Sequence, residues 1–122
     1  MIGYTTLGVK DLAKAEQFYA GVLGELGAKM VMGMDRMKLF GTGPGAPMFG
    51  ICTPYDGKPA SAGNGTMVAI QCDTTTKVDA AYNKAIALGA ADEGAAGQRG
   101  PGFYGAYIRD ADGNKVCFFK MG

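Results

Sequence analysis

The chain contains one strand-and-helix pattern twice, and this repeat constrains its fold more than any other feature. An apolar segment at Tyr4–Val9 precedes an amphipathic segment, and Met67–Cys72 precedes a second one. The two apolar segments begin 63 residues apart, and Tyr19 and Tyr82 on the amphipathic segments are separated by the same 63 residues. A repeat of this length, with its elements in matching order, predicts a duplicated module.

The amphipathic segments predict two helices, at about residues 11–26 and 75–88. Asp11 stands where the first helix needs an N-cap, and Asp73 or Thr74 stands there for the second. Gly27 and Gly89 follow the apolar stripes and are suited to end the helices. The stripes recur at three- and four-residue steps and consist of Leu12, Ala15, Tyr19, Val22, Leu23 and Leu26, and of Val78, Ala81, Tyr82, Ala85 and Leu88.

Short apolar runs separated by glycine predict three further strands after each helix. They are Ala28–Met34, Met37–Phe40 and Met48–Cys52, then Ala90–Gly94, Phe103–Arg109 and Lys115–Lys120. Asp110–Asn114 is predicted to be a tight turn. The class is therefore α+β, with two βαβββ modules in a single domain of residues 1–122. Module one covers about residues 1–53, a glycine- and proline-rich linker about 54–65, and module two about 66–122.

Charge and cysteine content exclude several kinds of partner. The 12 basic and 11 acidic side chains leave a net charge of +1, and no basic block is present. We therefore expect no binding to nucleic acid or to an anionic membrane. No signal peptide or membrane span is evident, and the three cysteines form no C-x-x-C pair. These features predict a cytoplasmic protein with free, buried thiols.

The order of several motifs adds a resemblance to a known family. The motifs are Thr6-Leu7-Gly8-Val9-x-Asp11-Leu12, Phe18-Tyr19, Val22-Leu23-Gly24, Asp56-Gly57-Lys58-Pro59-Ala60, Gly63-Asn64-Gly65-Thr66 and Tyr104-Gly105-Ala106-Tyr107-x-Arg109-Asp110-x-Asp112-Gly113-Asn114-Lys115. In this order they resemble small glyoxalase-like members of the vicinal-oxygen-chelate superfamily, which includes glyoxalases, bleomycin resistance proteins and dioxygenases. The likeness covers nearly the whole chain. It implies that two βαβββ modules form a cupped mixed sheet, commonly completed in a homodimer.

The resemblance also implies a divalent metal held in the cup by His and Glu or Asp side chains. At three of the implied ligand positions this chain has Tyr4, Met67 and Cys117, and it contains no His. A fourth position would lie on the last strand of module one, but residues 36–55 contain no Asp, Glu or His. Mg²⁺, Mn²⁺, Ni²⁺ and Fe²⁺ prefer oxygen and imidazole donors. We therefore expect no metal and no other cofactor.

Strand alternation predicts which side chains line the cup. If Tyr4, Met67 and Cys117 face it, Gln71 and Phe119 do so as well. Cys117 lacks a His partner, so we expect a small buried apolar residue rather than a nucleophile. Gln71 is either a satisfied core amide or a donor to a ligand carbonyl, and the sequence leaves both open.

Three other features have two interpretations each. Arg99, in a glycine-rich loop, is either a solvated charge or an anion clamp at the mouth of the cup. Tyr104 and Tyr107 are either ligand-stacking groups or ordinary strand residues. For the methionines, including Met30, Met32, Met34 and Met37, we expect core packing rather than an adaptable apolar surface.

These features predict a protein that binds a small hydrophobic or aromatic molecule in the cup, with Tyr4, Met67, Gln71, Arg99, Tyr104, Cys117 and Phe119 as the candidate binding residues. One alternative is a lyase or isomerase of the glyoxalase-like class that uses residues such as Gln71, Arg99 or Tyr104. The other is a structural module with a vestigial cup. Metal-dependent glyoxalase or dioxygenase activity is not expected from this residue set.

Overall fold

A computed structural model describes all residues, 1–122, and has the ten elements in the predicted order. Module one consists of β1 (Tyr4–Gly8), α1 (Leu12–Gly24), β2 (Lys29–Gly33), β3 (Met37–Gly41) and β4 (Met48–Cys52). Module two consists of β5 (Met67–Gln71), α2 (Thr75–Ala87), β6 (Ala91–Gln98), β7 (Phe103–Arg109) and β8 (Lys115–Met121). The predicted βαβββ repeat and the α+β class are confirmed.

Each module forms its own four-stranded mixed sheet. The strand orders are β1-β4-β3-β2 and β5-β8-β7-β6, with the first and last strands of each module parallel. The other neighbours are antiparallel. No strand of one sheet is hydrogen-bonded to a strand of the other. The outer edges of β1 and β5 therefore have no strand partner within the chain.

The helices begin at the predicted caps. The Asp11 carboxylate accepts a hydrogen bond from the Lys14 amide at 3.1 Å, and the Thr74 hydroxyl accepts one from the Lys77 amide at 3.2 Å. The sequence allowed either Asp73 or Thr74 as the N-cap of α2, and the structure shows that it is Thr74. Helix α1 ends at Gly24, two residues before the predicted end, and Gly27 has φ of +77° in the turn that follows. Neither helix is long and apolar enough to cross a membrane.

The core lies on the helix-facing side of both sheets. Its largest fully buried members include Tyr19 of α1, Ile51 of β4, Ile108 of β7 and Phe118 of β8. Helices α1 and α2 also contact each other, so the two modules share one cluster of 16 buried residues. The opposite face of each sheet consequently points away from this core.

Hydrogen bonds from the β7–β8 turn fasten module two to module one. A carboxylate oxygen of Asp110 accepts the Tyr19 hydroxyl at 2.7 Å, and Asn114 Nδ2 donates to the Gly8 carbonyl at 2.9 Å. In the same turn, Asp112 Oδ1 accepts the Lys10 amide at 2.8 Å. Burial, together with the Asp110 carboxylate, raises the pKa of Tyr19 far above its ordinary value, so the phenol remains a proton donor.

Two sequence-based predictions about the strands are wrong. Strand β6 extends to Gln98 rather than ending at Gly94, because two bulges let this small-residue segment stay paired with β7. Met30, Met32 and Met34 are exposed rather than packed in the core. Their position explains this result, since β2 is the outermost strand of its sheet.

The three cysteines are free, as predicted, but only two of them are buried. Cys72 and Cys117 are buried, whereas Cys52 at the end of β4 is half-buried. Burial raises the pKa of Cys72 to about 11, so this thiol is protonated at neutral pH. Its environment is that of a small apolar core residue.

Candidate ligand-binding cup

The strand register shows which side chains share the face that points away from the core. In module one we call this face the first half-cup, and it comprises Tyr4, Thr6, Met37, Leu39, Met48, Gly50 and Cys52. In module two we call it the second half-cup, and it comprises Met67, Ala69, Gln71, Phe103, Tyr107, Arg109, Lys115, Cys117 and Phe119. Most of these side chains are apolar or aromatic, so each half-cup is a largely apolar face.

The predicted binding residues are divided between these two faces. Tyr4 lies on the first half-cup with 55% of its surface exposed, and Met67 lies on the second with 43% exposed. Cys117 is only 1% exposed, which confirms that it is a small buried residue. The chain therefore brings Met67, Gln71, Cys117 and Phe119 together on one sheet, and holds Tyr4 on the other.

Gly50 is the module-one equivalent of Cys117. In the parallel pair of β1 and β4, Tyr4 aligns with Met48, and Gly50 lies two residues after Met48. In the parallel pair of β5 and β8, Met67 aligns with Lys115, and Cys117 lies two residues after Lys115. A Cβ atom at Gly50 would lie 2.6 Å from a methyl carbon of Leu39 and 2.7 Å from the Thr5 carbonyl oxygen. No side chain fits there, so this position of the first half-cup carries no donor group.

Two cations lie against one tyrosine ring on the second half-cup. The Arg99 guanidinium is 5.5 Å and the Lys115 ammonium 5.4 Å from the centre of the Tyr107 ring. Neither cation belongs to any of the chain's three ion pairs. Tyr107 was considered as a ligand-stacking group but was not among the candidate binding residues, and Lys115 was not considered. The strand pattern could have identified both residues as cup-facing. Lys115 is two residues from Cys117 on β8, and Tyr107 pairs with Cys117 across the sheet.

Tyr104, one of the candidate binding residues, does not lie on the cup face of its sheet. It pairs with Lys120 across the sheet, whereas the cup-facing Tyr107 pairs with Cys117. The Tyr104 hydroxyl donates to the Asp79 carboxylate of α2 at 2.6 Å. Because neighbouring side chains alternate between faces, residues three apart on one strand point in opposite directions.

Gln71 and Phe119 both lie on the second half-cup. Gln71 is exposed there, which excludes the interpretation as a core amide and leaves its amide group free to face a ligand. The Phe119 ring is stacked on Phe103, with 5.5 Å between ring centres and 5° between planes. This pair gives the second half-cup a flat aromatic surface beside the charged groups.

A groove of about 1020 Å³ lies between the modules, and it shares Met67, Ala69 and Gln71 of β5 with the second half-cup. It runs from the helix-facing side of module one, near Leu23, Phe40 and Phe49, to the edge strand β5. It is open to solvent and mostly apolar. Its position next to β5 shows that this unpaired edge of the second sheet remains accessible.

Comparison with known proteins agrees with this architecture. The model of the Glyoxalase/Bleomycin resistance protein/Dioxygenase superfamily matches residues 1–118. The chain belongs to this superfamily. Over 100% of this chain and 99% of the other, it is 34% identical to a glyoxalase/bleomycin resistance protein from Albidiferax ferrireducens T118, with a TM-score of 0.92. No curated protein matches the chain.

Two further superfamily structures are more distant. A lactoylglutathione lyase from Agrobacterium tumefaciens is 27% identical over 98% of this chain and 92% of its own, with a TM-score of 0.70. A glyoxalase/bleomycin resistance protein/dioxygenase family enzyme from Burkholderia phytofirmans PsJN is 18% identical over 98% of both chains, with a TM-score of 0.77. The second likeness concerns the fold alone.

The divalent metal common in the superfamily does not fit the residues of this chain. The positions that the family resemblance implies for the ligands hold a phenol, a thioether and a thiol, and no group of three His, Cys, Asp or Glu side chains could hold an ion. Burial raises the pKa of the Cys117 thiol, and nearby Tyr107, Arg99 and Lys115 offset only part of that rise. A neutral thiol beside two cations is a poor ligand for a divalent ion.

We therefore expect gently purified protein to contain well below one equivalent of any transition metal. Elemental analysis of the protein, before and after dialysis against a chelator, checks this expectation. A stoichiometric metal that disappears in Cys117→Ser but persists in Cys52→Ser would contradict it. Cys52 is a matched control because it is also a free thiol, on the other half-cup.

Proposed function

We propose that this protein captures a small hydrophobic or aromatic molecule in the cup without the help of a metal. The observation that carries the proposal is the nature of the four central positions, which hold Tyr4, Gly50, Met67 and Cys117. None of them supplies the charged donor that a hydrophilic centre needs. Burial of apolar ligand surface is then the main driving force, at roughly 25 cal/mol per Å² before ordering costs.

Reversible binding is better supported than catalysis. A lyase or isomerase would need an acid, a base or an electrophile next to the ligand. The second half-cup offers the neutral amide of Gln71 and a buried thiol whose pKa burial raises. Its two cations, Arg99 and Lys115, suit the binding of an anion rather than proton abstraction. Tyr104, a candidate for that chemistry, donates to Asp79 on the other side of the sheet.

The proposal is tested by a thermal-shift screen of neutral aromatic and aliphatic compounds, followed by calorimetry on the hits. We expect hits that bind one molecule per cup and that shift amide resonances of Tyr107, Cys117 and Phe119, which line the cup but not the groove. If no compound binds, or if the hits shift only resonances in the groove near Leu23, the cup is not a binding site. A vestigial structural module would then be the better account.

We further propose that a second copy of the chain completes the cup. Both half-cups face away from the core, and the edges of β1 and β5 lack strand partners. Exposed strand edges and largely apolar faces favour coverage by another chain. In a symmetric pair, the first half-cup of one copy can face the second half-cup of the other.

Light scattering at micromolar concentration is expected to give about twice the chain mass of 12.6 kDa. Ala69→Arg, on the exposed edge strand β5, should shift the mass toward that of the monomer. Ala87→Arg, at the exposed end of α2, adds the same side chain away from this edge and should leave the mass unchanged. A wild-type mass near 12.6 kDa would contradict the proposed dimer.

A further inference from the structure

We infer that the ligand of this cup is an aromatic carboxylate, with its carboxylate bound by Arg99 and Lys115 and its ring lying on the apolar part of the second half-cup. The inference rests on the proposed function and specifies its ligand class. It follows from where the unpaired positive charges lie relative to the aromatic side chains.

The charge of the second half-cup is unbalanced. Arg109, which also lies on this face, is neutralised by Glu93 at 2.9 Å and donates to the Gly113 carbonyl. Arg99 and Lys115 have no carboxylate partner, although both lie within 5.5 Å of the centre of the Tyr107 ring. Arg99 and Lys115 therefore leave two positive charges on this face without a counter-ion, and an anionic group of a ligand can pair with them.

The Arg99 guanidinium is fixed before any ligand arrives. It donates from Nη1 to the Gly97 carbonyl at 3.0 Å and from Nη2 to the Ala95 carbonyl. Three of its five N–H donors therefore remain for a ligand. A side chain that is already ordered loses less conformational entropy when it binds a ligand, so the ligand is bound more tightly.

Glycine makes this position of the guanidinium possible. A Cβ atom at Gly94 would lie 3.1 Å from Arg99 Nη2 and 3.1 Å from the Tyr107 ring, and one at Gly97 would lie 3.2 Å from Arg99 Nη1. The guanidinium thus lies against bare backbone of β6. A methyl group at Gly97 would press on it without changing the charge of the protein.

The charged groups adjoin an apolar surface on the same sheet face. Lys115 pairs with Met67 across the strands β5 and β8, and Cys117, two residues after Lys115, is buried. Two residues further along β8, the Phe119 ring stacks on Phe103. A ligand that matches both the charged groups and the apolar surface has an oxyanion at one end and a flat apolar body. The planar fork of a guanidinium matches a carboxylate in particular.

The test compares 2-naphthoate with its neutral isostere 2-naphthamide by isothermal titration calorimetry at low ionic strength. We expect the acid to bind at least about tenfold more tightly than the amide. Arg99→Gln and Lys115→Gln should each weaken the acid about tenfold and the amide less than about twofold. Lys120→Gln is the matched control, because Lys120 lies on the same strand but on the opposite face.

Gly97→Ala keeps every charge and should still weaken binding of the acid, because the added methyl group would lie 3.2 Å from Arg99 Nη1 and press on the guanidinium. Equal affinity of acid and amide in the wild type would overturn the inference, as would equal losses in Lys120→Gln and Lys115→Gln. In either case, continued binding of the amide to the cup would leave the proposed function standing. If neutral aromatics also fail to bind, the proposed function fails as well.

Discussion

Replacing Asp110 by alanine is expected to destabilise the chain by about 3–5 kcal/mol. The Asp110 side chain accepts four hydrogen bonds, from the Tyr19 hydroxyl, the amides of Asp112 and Asn114, and Asn114 Nδ2. Tyr19 and Asn114 are themselves buried, so their donors would be left without an acceptor. A buried polar group without a partner costs about 1–3 kcal/mol each.

Urea unfolding monitored by circular dichroism measures this effect, and the same turn provides a matched control. The Asp112 carboxylate accepts one bond, from the more exposed Lys10 amide, so Asp112→Ala should cost about 1 kcal/mol. If Asp110→Ala does not fold, Tyr19→Phe removes only one of the four bonds and should cost about 1–2 kcal/mol. Equal losses in Asp110→Ala and Asp112→Ala would contradict the role of Asp110 as the link between modules.

Met67→Glu is expected to weaken binding of hydrophobic ligands at least about tenfold. The new carboxylate would lie next to Lys115 on the second half-cup. Even a paired carboxylate must lose water when an apolar ligand covers it, and the pair does not fully recover that cost. An aromatic carboxylate would lose more, because the new side chain both repels it and occupies Lys115.

Calorimetry on wild type, Met67→Glu and Met67→Leu separates charge from shape. Leucine keeps the apolar character and nearly the same volume, so Met67→Leu should stay within about threefold of the wild-type affinity. If ligands bind Met67→Glu as tightly as the wild type, they do not bind in the cup. The interpretation as a vestigial module would then be favoured.

Local sequence signals predicted most of the fold. At the N-caps, the side chains of Asp11 and Thr74 accept hydrogen bonds from amides only three residues away. Such local contacts can be predicted directly from a sequence pattern. The end of β6 was missed because its length depends on bulged pairing with β7, and Gly94–Gln98 has little strand propensity of its own. The contact between Asp110 and Tyr19 was also missed. Asp110 was identified as a turn residue, and the turn does not reveal what its side chain contacts 91 residues away.

The candidate site was predicted less completely than the fold. Alternation along a strand correctly grouped Met67, Gln71, Cys117 and Phe119 on one face. It would also have separated Tyr104 from Tyr107, had the register of β7 against β8 been known. The approach of Arg99 to Tyr107 depends on the course of β6 past Gly94, so only the three-dimensional structure reveals it.

The central claim is that the cup of this superfamily member binds its ligand without a metal. The most direct measurement is a calorimetric titration of one cup ligand, 2-naphthoate or a hit from the screen, into protein dialysed against a chelator. The titration is then repeated after addition of one equivalent of Mn²⁺, Ni²⁺ or Zn²⁺. We predict the same dissociation constant in every titration, because Tyr4, Met67 and Cys117 supply no suitable ligand set. Binding that is lost on dialysis and restored by one of these ions would contradict the account.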